Sequence, residues 1–144
     1  MTTMSDHSSA RADAELRLPA LGAYAAVIRT TAAGLAARLD FTIDDIEDLR
    51  IAIGEATALV MAEADPDSDV VCAFRFTRGS LSLELSVSAV DEPELDHESF
   101  AWQMLDTMAD DVSAGAEAGR FLVRFTVRSQ LAEPAPSQGA GAGS

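Results

Sequence analysis

The chain has 144 residues and a formal net charge of −14, from 24 acidic residues against 10 basic ones. That length suits one domain, and a 48% hydrophobic content suffices for an ordinary core. So acidic a chain repels phosphate backbones and anionic lipids, which argues against direct nucleic-acid or membrane binding and favours basic protein surfaces as partners.

All ten basic residues are arginine. Without lysine there is no Schiff-base chemistry and no phosphate-binding P-loop. Cys72 is the single cysteine, which rules out a disulfide framework or a cysteine zinc cluster. Two histidines, His7 and His97, are too few for a histidine-rich metal site. No apolar run reaches the roughly 18 residues of a membrane span. The opening "MTTMSDHSSARADA" lacks the plan of a signal peptide, so a cytoplasmic location is expected.

Residues 1–13 are small and polar and read as a disordered lead-in. The domain is expected over 14–131. "ELRLPA" reads as a short strand with Leu16 and Leu18 on one face, ended by Pro19. Leu21, Tyr24, Ile28, Leu35 and Leu39 recur near helical spacing and predict a helix over 22–39.

The next helix carries its own start signal. Thr42 suits the N-cap, Asp45 stands at the capping-box position, and Phe41 with Ile46 forms a hydrophobic staple. Asp44, Asp45, Glu47 and Asp48 fill the first turns, where those nearest the start suit the helix dipole. Ile46, Leu49, Ile53, Ala56 and Val60 form the apolar stripe, and "DPDSD" stops the helix near residue 64.

"VVCAFRF" and "LSLELSV" alternate as two strands joined by a hairpin turn at Gly79. "ESFAWQMLDTMADD" predicts a third helix with Phe100, Met104, Leu105 and Met108 as its stripe. "RFLVRFTVR" is the last strand, with Phe121, Val123, Phe125 and Val127 on one face. The closing "AEPAPSQGAGAGS", residues 132–144, reads as a disordered tail. Four half-apolar strands and three helices predict a two-layer α+β sandwich with a mixed, largely antiparallel sheet.

Three stretches bear on chemistry. In "DFTIDDIEDLRIAIGEATALVM", Glu55 stands mid-helix with Leu59 four residues later on the same face. After the second hairpin strand comes "DEPEL", with Asp91, Pro93 and Leu95. The third-helix stretch "ESFAWQMLDTMADDV" contains no glycine.

Over residues 15–129 the chain resembles the small bacterial anti-sigma factors of the RsbW type, including their sigma-F branch. These belong to the GHKL superfamily, which has the Bergerat ATP-binding fold. The resemblance implies that Glu55 matches the glutamate of the family's Glu-x-x-x-Asn box and that Leu59 replaces the Mg²⁺-binding asparagine. Leucine cannot ligate a hard cation that takes oxygen ligands. Asp91 matches the adenine-reading aspartate of the Asp-x-Gly-x-Gly box, with Pro93 and Leu95 in place of its glycines. The glycine-rich phosphate lid is missing as well.

The resemblance therefore implies a fold kept after its nucleotide boxes have decayed. No cofactor or metal is expected, and Glu55 reads as a remnant. The implied partners are an alternative sigma factor, an anti-anti-sigma protein of the STAS type that releases it, and a second copy of the chain. Arg29 and Thr30, in "VIRTTAAG", together with Asp44, Asp45 and Asp48, are the implied partner-binding residues. The competing reading is an active serine-protein kinase that uses ATP to phosphorylate its antagonist.

Overall fold

The computed structural model describes residues 11–91 and 95–131. Of the segments expected to be disordered, residues 1–13 and 132–144, residues 1–10 and all of 132–144 lie outside the described residues, as does Pro93.

Five strands form one sheet: β1 (Ala14–Pro19), β2 (Asp69–Thr77), β3 (Ser80–Ser88), β4 (Asp110–Glu117) and β5 (Arg120–Arg128). Their spatial order is β1-β2-β3-β5-β4. A 3₁₀ turn at Gly22–Tyr24 leads into α1 (Ala25–Arg38), followed by α2 (Ile43–Met61) and, later, α3 (Phe100–Met108). The α+β two-layer sandwich expected from the sequence is the architecture that forms.

Two details correct the sequence reading. Every pairing among the described residues is antiparallel, so the sheet is not mixed. The third helix stops at Met108 rather than running through "ADD". Asp110–Glu117 instead forms the edge strand β4, which pairs with β5 across a bulge between Asp110 and Ser113.

One face of the sheet carries the alternating apolar side chains. Val70, Cys72 and Phe74 on β2 align with Val87, Leu85 and Leu83 on β3, which align in turn with Phe121, Val123 and Phe125 on β5. All are buried. Helix α2 crosses β3 and β5 on this face, with α1 and α3 packed on either side of it. Its predicted stripe is the inner contact: Ile46 near the helix start is half-buried, while Leu49, Ile53, Ala56 and Val60 are fully buried. Each large aliphatic among them contributes about 1.5–3 kcal/mol of transfer free energy. The opposite sheet face is polar, tied by Arg124–Glu84 at 2.7 Å and Ser82–Thr126 at 2.8 Å.

Cys72 lies in the helix-facing layer. Burial, helped by the nearby Glu84 charge, pushes its thiol up to about 12. At neutral pH it therefore carries almost no thiolate and serves as a small apolar core residue.

Both hairpin turns have two residues. Gly79 takes φ +80° between β2 and β3. The β4–β5 turn places Ala118 at φ +53° and Gly119 at φ +78°, the double positive φ of a type I′ turn. Alanine pays about 1 kcal/mol in that region, whereas asparagine is a preferred residue there. Ala118→Asn is expected to stabilise the chain by about 0.5–1 kcal/mol. A thermal melt showing an unchanged or lower midpoint would refute it.

Candidate functional site

Helix α2 is the scaffold for every residue singled out near its centre. Its start forms as the sequence predicts. The Asp45 amide donates to Thr42 Oγ1 at 3.1 Å, and the Thr42 amide donates back to Asp45 Oδ2 at 3.0 Å. This capping box fixes where the helix begins and so the rotation of every later side chain.

That rotation points Glu55 and Leu59 to the flank of α2 that faces α3. Glu55 is half-buried, and no ion pair reaches it among the described residues. Leu59 is also half-buried and packs against the core. Beside it lies a cavity of about 210 Å³, lined by Ala58, Leu59, Ala62, Leu95 and Phe121 with Glu63, Asp96 and Ser99 at its polar side. Small-molecule pockets ordinarily span roughly 300–1,000 Å³.

The cavity stands where the resemblance would put the nucleotide. The residues there do not fit a magnesium nucleotide. Leu59 offers a methyl-tipped side chain where a metal needs an oxygen, and Leu95 packs inward against the core. Among the described residues, no group of three His, Cys, Asp or Glu side chains is placed to hold a metal ion. Asp91 is exposed, at the edge of the segment that lies outside the described residues.

The cavity walls were not all legible beforehand. Phe121 was read as strand core, and Ala58 and Ala62 carried no signal. His97 and Trp102 meet edge to face with ring centroids 4.8 Å apart. That contact joins the loop before α3 to the helix itself.

The expected partner-binding residues fall into two groups. Arg29 on α1 is half-buried, and its guanidinium lies over Gly54 of α2, 3.9 Å from where a Cβ would stand. A Cβ added there would meet the guanidinium at ordinary van der Waals distance. Thr30 beside it is exposed. Asp44 is exposed and Asp48 half-buried near the start of α2. Gly54 and Asp44 are ten residues apart, roughly 15 Å along the helix, so Arg29 and Asp44 are not in one cluster.

Asp45 departs from the expectation. It is 3% exposed, and its Oδ2 also accepts from the Gln130 amide at 3.0 Å and from Ser129 Oγ at 3.4 Å. It therefore sits beneath the surface, fastening the chain beyond β5 to the start of α2. Burial alone would push its carboxyl up. The Gln130 amide, the Thr42 amide and hydroxyl, and the Ser129 hydroxyl outweigh that and hold it below the ordinary aspartate range.

No family model matches the chain. Part of it is similar to proteins named "Serine-protein kinase RsbW". The relatives from Bacillus thuringiensis (strain Al Hakam), Bacillus cereus (strain B4264) and Bacillus anthracis (strain A0248) are each 48% identical over 50 residues. That segment is 35% of this chain, and the match spans 31% of the length of each curated relative. Among the described residues, no helix is long and apolar enough to cross a membrane.

Proposed function

We propose that this chain is an anti-sigma factor of the RsbW type. It sequesters an alternative sigma factor of the sigma-F-like stress or sporulation class by protein contact alone, and an anti-anti-sigma STAS protein releases it. The supporting similarity is the shared 50-residue segment, together with the α+β sandwich. The observation that carries the choice of binding over kinase chemistry is the apolar cavity beside Leu59. Phosphoryl transfer relies on a metal to neutralise the migrating charge, and that position holds no oxygen donor.

The formal charge of −14 fits this role. A sigma factor presents basic surface to DNA, and an acidic binder complements that surface and competes for it. Arg29 and Thr30 on α1, with Asp44 and Asp48 on α2, are the proposed contacts. A homodimer in the cytoplasm is the proposed working form.

Co-purification with the alternative sigma factors encoded in the same genome tests the reading. A stable complex is expected with at least one of them, and failure with all of them would sink it. Calorimetry with Mg-ATP separates the kinase alternative. No magnesium-dependent heat at micromolar affinity is expected, and such a heat would restore the enzyme reading.

A further inference from the structure

At the end of the sandwich away from Leu59 lies a larger groove, of about 840 Å³. It runs between the end of α1, the start of α2, the β2–β3 turn and the chain leaving β5. Its floor is apolar, made by Leu39, Phe41 and Ile46. Two large aliphatics stand proud at its lips: Ile43 is 76% exposed and Leu131 is 68% exposed.

These lips are held in place. Beyond β5, the Ser129 amide donates to the Gly79 carbonyl at 2.8 Å, and the Gln130 amide and Ser129 hydroxyl bind Asp45 Oδ2. The Leu131 amide then donates to Ser129 Oγ at 3.0 Å. Ile43 is the first residue of α2, directly after the Thr42 cap. One buried carboxylate thus anchors both sides of the groove and keeps two hydrophobic side chains in water. Such fixed exposure is characteristic of an interaction surface.

Charge selects the occupant. The groove is lined by exposed Asp40 and exposed Arg78, and exposed Asp44 stands outside the lining, next to Ile43. Asp40 takes the left-handed position after α1, at φ +64°, where glycine is the usual residue. A second copy, with 24 acidic residues against 10 basic ones, offers little basic surface to meet Asp40, and an anionic lipid surface is repelled.

We propose that this groove docks an amphipathic segment of another protein, with two or three apolar side chains on the floor and arginine or lysine against Asp40 and Asp44. The site lies apart from Arg29 and Thr30, shares only Asp44 with the proposed sigma-factor contacts, and does not depend on the partner being a sigma factor.

The test uses the full chain, labelled for methyl and amide NMR, and a short helix-forming peptide with leucines on one face and arginines on the other. Shifts confined to Ile43, Ile46, the Arg78–Gly79 turn and Leu131 are expected. The Ile43→Ser/Leu131→Ser double variant changes only exposed positions and adds no charge, so it should melt as the parent does. It should bind the peptide at least about tenfold more weakly.

Two controls overturn the proposal if they go the other way. Equal binding of a peptide with alanines in place of the leucines reduces the effect to bulk charge. Self-association of the chain that the double variant abolishes assigns the groove to a second copy. A failed sigma-factor co-purification leaves the peptide result standing, so the two readings fail separately.

Discussion

Asp45→Ala is expected to lower the unfolding free energy by about 3 kcal/mol. Loss of the capping box alone accounts for about 1 kcal/mol. The remainder comes from the donors left stranded: the Thr42 amide, the Gln130 amide and the buried Ser129 hydroxyl all lose their acceptor. Each unsatisfied buried donor costs about 1–3 kcal/mol, reduced here because Gln130 can find water. Asp45→Asn keeps an acceptor oxygen and is expected to cost about half as much. Urea denaturation checks this: the midpoint should fall with the slope unchanged. A shift below about 0.5 kcal/mol, the scale of an ordinary surface substitution, would show that the network stores little energy.

The same carboxylate predicts a pH dependence. Its folded pKa lies below the ordinary 3.8, so the folded state favours the ionised form. The resulting stabilisation is complete above the unfolded pKa and is lost as pH falls through the folded one. The stability gap between the parent chain and Asp45→Asn should therefore be constant from neutral pH to about pH 5 and shrink below about pH 4.

What the sequence revealed depended on how local each determinant is. The start of α2 was legible because its cap, its box partner and its staple lie within six residues, 41–46. The β2–β3 hairpin was legible because clean alternation flanks Gly79. β4 was not, because "DDVSAGAE" has small and charged residues where an inner strand would have large ones. As an edge strand it packs little, so its alternation is faint. Its first residues also follow directly from an amphipathic helix, and the sequence has no proline or glycine to mark the break. Phe100 belonged to the predicted stripe of α3 yet is 73% exposed, because the helix is too short to bury both ends. The burial of Asp45 was illegible for another reason: its partners Ser129 and Gln130 are 84 and 85 residues away. Glu55 and Leu59, by contrast, share a flank of one helix by spacing alone, and the structure added the cavity that Leu59 lines.

Arg29→Glu is expected to weaken the proposed sigma-factor complex by about 100-fold, roughly 3 kcal/mol. Arginine is a common hot-spot residue because its planar group makes several directed hydrogen bonds at once. Here the guanidinium lies over Gly54 of the neighbouring helix, half-buried between α1 and α2. Ile51, one turn before Gly54 on α2, is exposed and supplies apolar surface on that flank. No ion pair ties Arg29 down among the described residues, so reversing its charge should leave the melting temperature nearly unchanged. Arg29→Lys keeps the charge but loses the planar fork, and should cost about tenfold. If the charge matters but the fork does not, lysine will bind like the parent while glutamate fails. If all three bind equally, the contact lies elsewhere, and the acidic start of α2 becomes the surface to mutate next.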